Sequence, residues 1–352
     1  MSAGAASATT PTLAVTDALD RAAELLAGRP RAVPILLACH VNPDGDALGS
    51  MLGFGLGLRR LGFTTVAASF PVEAAGGAFE VPAPFRFLPG LDLLVPPDTV
   101  GVPDIGISFD AASPARLGPL TAHLAAASAW LVLDHHASNP GFGTLDLVDP
   151  GAAATAVVAA QLLDRLGVEY DRAIATCLYV GLATDTGSFR FDSTTPQVHA
   201  LAARLLAAGA PAAEIALRLF DSRPYGAVRL LADVLARSEF DPAAAHGRGL
   251  VLAYALPEDL DRYGQPAHVL ESFVDILRTT AEADVSCLVK PAGPGQWSIS
   301  LRSRGGTAGG AVAVALGGGG HRLAAGFTGY GDVAAVLAAI RAGVASAPIP
   351  PG

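Results

Sequence analysis

Three short apolar runs in the first part of the chain end in the same way, and that habit limits the folds open to it. ILLACH stops at His40, IGISFD at Asp110, and AWLVLDHH at Asp134, His135 and His136. Apolar runs of this length, broken by polar residues, read as buried strands. Helical stretches separate them, and strands alternating with helices make βαβ units and a parallel sheet. In an open parallel sheet the C-terminal strand ends share one edge, where ligands bind. Residues far apart in sequence can therefore converge on one crevice.

The rest of the chain fills in around these runs. A helix is expected from Thr16 to Ala27, and ALGSMLGFGLGLRRLG reads as a helix ending at Gly62 after the loop VNPDGD. TTVAASF is a further strand, followed by a loop rich in Pro and Gly over 71–103. Helices are expected through LGPLTAHLAAASA, at about 153–166 and at 171–183, then over 195–210 and 211–238. After Pro242 the pattern changes to strand GLVLAYAL, helix HVLESFVDILRTTA, strand DVSCLVK, a PAGPG turn, strand WSISLRS and a glycine-rich tail. The expected architecture is an α/β parallel-sheet domain joined by a helical linker to a smaller α+β domain. Its boundaries fall at 1–30 for a leader and first helix, 31–205, 206–240 for the linker, and 241–347.

Composition excludes several classes. With 352 residues, 51% of them hydrophobic and 16% charged, the chain can bury two cores and is not disordered. A net charge of −9 argues against tracking long nucleic acid, which takes a broad basic face. Lys290 is the single lysine; the other 22 basic residues are arginine. Cys39, Cys177 and Cys287 are far apart and form no CxxC pair, so neither a zinc ribbon nor a disulfide framework is supported. MSAGAASATTPT lacks the basic and apolar regions of a signal peptide, and every apolar stretch is cut short by charge, Gly or Pro. The expectation is a soluble, cytoplasmic protein without a membrane partner.

NPDGD contributes Asp44 and Asp46 after the first strand, and LATDTG contributes Asp185. Alone, Asp110 reads equally as a helix N-cap and Asp185 as a turn residue. Together, four carboxylates and several imidazoles in one crevice repel or lose their water unless a cation is present. Six or more such groups exceed what one ion needs, which implies two ions sharing a carboxylate. Imidazole and carboxylate without thiolate suit Mn²⁺, Mg²⁺ or Fe²⁺. Two such ions polarise a phosphoryl group and activate water.

HVNPDGDALGS (40–50), FD with the downstream SPARLG (109–118), DHHASN (134–139) and TDTGSFRF (184–191) resemble the four motifs of the DHH phosphoesterase superfamily. GGGGHRLAAGF (317–327), with SLRS (300–303) before it, resembles the DHH-associated substrate domain. The resemblance implies that His40, Asp44 and Asp110 hold one metal ion. It implies that Asp46, Asp110, His135 and Asp185 hold the second, with Asp110 bridging. Asp134 would orient an imidazole, and His136 would serve the scissile phosphate as donor or general acid. Mn²⁺ is the expected ion, Mg²⁺ the alternative.

In the second domain, successive glycines Gly318, Gly319 and Gly320 let main-chain N–H groups approach an anion, with His321 as a further donor. Arg302 and Ser303 would add a guanidinium and a hydroxyl, and Arg190 a positive charge near the metals. The nearest branch of the superfamily is that of nanoRNases and pAp phosphatases, because the chain offers LRSRGG and a single lysine where pyrophosphatases carry a lysine-rich signature. That branch implies hydrolysis of short oligoribonucleotides (two to five nucleotides, including pApA) to nucleoside 5′-monophosphates and of pAp to AMP. Cyclic di-AMP is a further candidate substrate, and a homodimer the implied assembly. The alternatives are a manganese-dependent pyrophosphatase and a non-catalytic nucleotide sensor.

Overall fold

A computed structural model describes residues 13–72, 78–320 and 322–348. His321 therefore lies outside the described residues. The chain divides into two compact units, Met1–Ser222 and Arg223–Gly352, passing from one to the other inside the 206–240 stretch.

The first unit is built on five parallel strands: β1 (Ile35–Cys39), β2 (Val66–Ser69), β3 (Ile105–Phe109), β4 (Ala129–Asp134) and β5 (Leu145–Val148), in the order β2-β1-β3-β4-β5. Every residue of β1, β3 and β4 is buried, because helices cover one face and Leu117, Leu120 and Leu124 pack on the other. Register decides what happens at the edge. Cys39 pairs with Phe109 and Phe109 with Leu133, so the next residue of each strand, His40, Asp110 and Asp134, comes out at one level. β5 has no counterpart among the sequence expectations; LDLV is a short, half-exposed edge strand with a carboxylate inside it.

The helices of this unit are α1 (Leu13–Ala27), α2 (Gly45–Arg60), α3 (Leu120–Ala125), α4 (Thr155–Arg165), α5 (Arg172–Asp185), α6 (Pro196–Ala207) and α7 (Ala212–Leu219). α3 is shorter than expected, since Gly118 and Pro119 separate it from a 3-10 turn at Pro114–Leu117. α2 carries glycines that cost a free helix about 1 kcal/mol each. Packing explains them. A Cβ on Gly49 would stand 2.4 Å from the Cys177 carbonyl oxygen and 2.9 Å from the Gly181 nitrogen, so α2 and α5 touch backbone to backbone. That approach brings Asp46, in the first turn of α2, alongside Asp185, the last residue of α5. Cys39 and Cys177 are buried small residues of this core, and all three cysteines are free thiols.

The second unit holds a six-stranded mixed sheet: β6 (Glu239–Asp241), β7 (Leu250–Tyr254), β8 (Val285–Gly293), β9 (Gln296–Ser303), β10 (Gly319–Gly320) and β11 (Ala324–Tyr330), in the order β10-β11-β9-β8-β7-β6. The β7–β8 pair is parallel and the other pairs are antiparallel. The expected helical stretch 211–238 is broken: α8 (Tyr225–Ala236) starts after Pro224, which disfavours helix in the residue before it. The glycine-rich tail is not featureless. It contains a helix at Gly309–Ala315, β10, β11 and a helix at Val333–Ala345. AAGFTGY alternates only weakly in hydrophobicity, so pattern alone does not reveal β11. No single helix among the described residues is long and apolar enough to cross a membrane.

Candidate metal centre and substrate groove

At the edge of the first sheet the chain makes two tight left-handed turns on non-glycine residues. Asn42 has φ 53° and Asp110 φ 55°, a region where Asn and Asp are the most tolerant side chains after glycine. The turn at Asp110 lets its N–H donate to the Leu133 carbonyl at 3.0 Å while its carboxylate stays buried at the strand ends. Its two oxygens face different histidines: Oδ2 lies 3.5 Å from His40 Nε2, and Oδ1 3.6 Å from His135 Nε2. Thr155 Oγ1 donates to the same Oδ1 at 3.0 Å.

Each remaining carboxylate has a local reason for its position. Asp44 is the N-cap of α2, where Oδ1 accepts the N–H groups of Asp46 (3.1 Å) and Ala47 (3.0 Å). Its Oδ2 is left 3.9 Å from His40 Nε2. Asp46 is wholly buried and caps a helix to which it does not belong. Its oxygens accept the Thr155 N–H at 2.5 Å and the Ala156 N–H at 2.9 Å, the first free donors of α4, whose own N-cap is the alanine Ala154. Asp185 ends α5 with Oδ2 3.2 Å from His135 Nε2, and Asp46 Oδ2 lies 4.0 Å from the same nitrogen.

The imidazoles are aimed through their other nitrogens. His135 Nδ1 lies 3.3 Å from the Ala152 carbonyl, and His40 Nδ1 2.8 Å from the Val41 carbonyl. A ring that donates its Nδ1 proton to a carbonyl has an Nε2 lone pair to offer a cation once the second proton is displaced. Arg116, from SPARLG, also reaches His40 Nδ1, at 2.9 Å. Asp134 does not serve either of these rings. Its Oδ1 accepts the His136 Nδ1 proton at 2.7 Å and the His135 N–H at 2.8 Å, and its Oδ2 accepts from Asn139 Nδ2 at 2.6 Å.

The charges hold one another in place. Burial alone lowers the His40 pKa, but its hydrogen bond to Asp110 and the charges of Asp44 and Asp110 outweigh that and raise it to about 9. His135 and His136 are raised against burial too, by Asp185 and Asp134 respectively. Asp110 is driven well below the usual carboxylate range: burial works upward, but the His40 hydrogen bond and the neighbouring imidazoles prevail. Loss of water raises Asp46, and raises Asp185 to about 6. Such a cluster retains protons that a cation would displace. Its donor atoms also fit one. His40, Asp44 and Asp110 form one set and Asp46, His135 and Asp185 another, each with ligand atoms within 4.8 Å of one another. Nitrogen and oxygen donors without sulfur suit a divalent cation such as Mn²⁺, Mg²⁺ or Fe²⁺.

Arg190 is exposed, and its Nε donates to the Gly187 carbonyl at 2.5 Å. Thr155, Asn139 and Arg116 are absent from the sequence expectations. DHHASN and SPARLG pointed to the last two, whereas nothing near Thr155 in GAAATAVV marks it.

In the second unit, Arg302, Gly318, Gly319 and Gly320 line an open groove of about 580 Å³. Its floor is one face of β8, β9 and β11, where Gly326 pairs with Ser300 on one side and Gly319 on the other, so the floor is low. Gly318 has no room for a side chain, since a Cβ would lie 2.1 Å from the Gly326 carbonyl. Ser303 departs from the expected pairing with Arg302. Successive residues of a strand face opposite ways, so Ser303 is buried beside Gly309, its Oγ without a hydrogen-bond partner among the described residues. The serine on Arg302's face is Ser300.

Fold and site define a class: an α/β protein whose strand ends gather carboxylates and imidazoles in the manner of a divalent-cation centre. The chain belongs to the DHH family, a family of metal-dependent phosphoesterases: residues 34–182 match its N-terminal domain, and residues 251–346 match the DHHA1 domain. It is 38% identical over 302 residues to the bifunctional oligoribonuclease and PAP phosphatase NrnA of Thermus thermophilus, covering 84% of each chain. The Bacillus subtilis protein of the same description is 25% identical, over 84% of this chain and 89% of its own. Among solved structures, an exopolyphosphatase-related protein from Bacteroides fragilis shares the fold with a TM-score of 0.83, at 22% identity over 95% of this chain and 97% of that one. RecJ of Thermus thermophilus, solved with Mn²⁺, gives a TM-score of 0.54 at 18% identity over 95% of this chain and 55% of its own.

Proposed function

We propose that this chain uses two divalent cations, Mn²⁺ in the first place and Mg²⁺ in the second, to hydrolyse short oligoribonucleotides to nucleoside 5′-monophosphates and pAp to AMP. The observation that supports the two-cation reading is Asp110, a buried carboxylate with Oδ2 toward His40 and Oδ1 toward His135 and His136. The substrate class rests on the Thermus relative, an oligoribonuclease and PAP phosphatase over most of both chains.

His40, Asp44 and Asp110 would hold one cation, and Asp46, Asp110, His135 and Asp185 the other. When bound, the pair supplies Lewis-acid polarisation of the phosphoryl group and lowers the pKa of water. The chain's own residues do the rest. Asp134 engages Nδ1–H of His136, so the proton that His136 can give to the departing oxygen is the one on Nε2. Burial lowers the His136 pKa, but the hydrogen bond to Asp134 and the charges of Asp110 and Asp134 outweigh it and raise it, which favours the protonated form that can donate. Within the groove of the second unit, Arg302 and the main chain of Gly319 and Gly320 would hold an anionic group.

The test is direct. Purified protein with Mn²⁺ is incubated with pAp, pApA, a five-nucleotide RNA, cyclic di-AMP and pyrophosphate, beside Asp110→Ala. AMP from pAp and the short RNAs, absent in the variant, is the expected result, and the relative rates rank the substrates. Cleavage of pyrophosphate alone would move the chain to the pyrophosphatase branch. Nucleotide binding without any cleavage would make it a sensor.

A further inference from the structure

The chain's single lysine sits where a lysine seldom does. Lys290 lies on β8, opposite Ser298 of β9, with its side chain only 5% exposed. Lysine is almost never buried this far without a partner. Its ammonium donates to Ser300 Oγ at 2.9 Å and to the carboxylate of Glu271. All three residues line the groove that Arg302 and the glycines share. The pair is lopsided: the cation is buried, whereas the Glu271 side chain is 65% exposed and stands on the 3-10 segment Ala267–Ser272. Arg302 has a similar neighbour, with Nε 3.6 Å from Asp275 Oδ1.

We propose that Lys290 is a further anion-binding residue of this groove, and that Glu271 is an internal anion which a phosphate of the nucleotide substrate displaces. The proposal deepens the phosphoesterase reading and rests on it for the identity of the ligand. Folding has already removed the ammonium from water. An arriving phosphate therefore meets a desolvated cation, where a charge-assisted hydrogen bond is stronger than at the surface. The group it displaces is an exposed carboxylate that returns readily to water. Ser300 can donate its hydroxyl to the same phosphate while accepting from Lys290. Glu271 thus sets a threshold: it keeps the buried cation neutralised between substrates and makes weakly charged ligands poor competitors. A phosphate dianion overcomes it, a neutral nucleoside does not.

The experiment compares wild type, Lys290→Met, Lys290→Arg and Glu271→Gln in the full chain. It reads binding of 5′-AMP and adenosine by calorimetry and, separately, KM and kcat for pApA with Mn²⁺. Lys290→Met should weaken 5′-AMP binding about tenfold or more, the scale of one hydrogen bond to a charged group. KM should rise in step while kcat changes little, and Lys290→Arg should restore part of the loss. Glu271→Gln should tighten 5′-AMP binding and leave adenosine unaffected. The proposal is overturned if Glu271→Gln weakens 5′-AMP as Lys290→Met does, because the pair would then be a structural brace. It is also overturned if Lys290→Met folds and binds 5′-AMP like wild type. Should Lys290→Met fail to fold, the surface variant Glu271→Gln decides alone. Failure of the function reading looks different: no variant or wild type cleaves pApA, yet the 5′-AMP affinities still order as stated.

Discussion

His136 donates from Nδ1–H to Asp134 Oδ1 at 2.7 Å, and Asn139 Nδ2 donates to the other oxygen of the same carboxylate at 2.6 Å. Asp134 is thus a fixed acceptor that aims one imidazole, while His135 next to it turns to the carboxylates of Asp185 and Asp110. Asp134→Asn should keep most of the fold but leave His136 without a charged acceptor. Removing such an outer partner typically costs about 10- to 100-fold in activity or metal affinity. Here the loss should appear in kcat for pApA, with Mn²⁺ stoichiometry retained. Loss of both Mn²⁺ ions in the variant would show that Asp134 supports the centre and not the proton donor.

Asp110→Ala removes the carboxylate that faces both His40 and His135. Calorimetric titration with Mn²⁺ should show both binding events weakened, by more than the roughly 100-fold of an outer partner. Weakening of one site alone would mean that Asp110 is not shared.

Cation affinity should depend on pH with a definite sign. His40 retains its proton up to about 9, and Asp185 up to about 6. A cation competes with those protons for the same atoms, so apparent affinity rises with pH and falls below it. Between pH 6 and 9 the slope should reach at least tenfold per unit, since His40 gives up one proton and His135, also raised, adds to it, and it should steepen below 6 as Asp185 joins. Titrations in two buffers of different ionisation enthalpy count the protons released. A flat profile over this range would contradict the site described.

Gly49→Ala should destabilise the first unit, because its Cβ would press on main-chain atoms of α5 that cannot step aside. Overpacking of this kind costs about 1–3 kcal/mol, a fall of several degrees in Tm. Mn²⁺ affinity should drop with it, as α2 carries Asp46 and α5 carries Asp185. Gly101→Ala, where a Cβ meets nothing within 4 Å, is the control and should leave Tm unchanged.

Much of this was legible beforehand, for physical reasons that differ by region. β1, β3 and β4 are short, uniformly apolar and end in charge, so their positions and their shared edge follow from composition along a few residues. β11 was not legible, since AAGFTGY lacks a clear alternation and gains its strand character from pairing with β9 along its whole length. β5 escaped because an edge strand with one face in water needs little hydrophobicity. Ser303 does not share Arg302's face, because adjacency in sequence means opposite faces once the segment is a strand.

By itself the sequence determined which residue types stand at the strand ends, in which order, and hence that a cation-binding edge was to be expected. That information is local, because a strand and the residue ending it are specified by a handful of neighbours. Only the tertiary structure decided the pairings: Asp46 on the first N–H groups of α4, Thr155 on Asp110, Asp134 on His136, Glu271 on Lys290. Those depend on the register between strands and on how closely two helices approach, which the packing of the whole unit sets and no short segment contains.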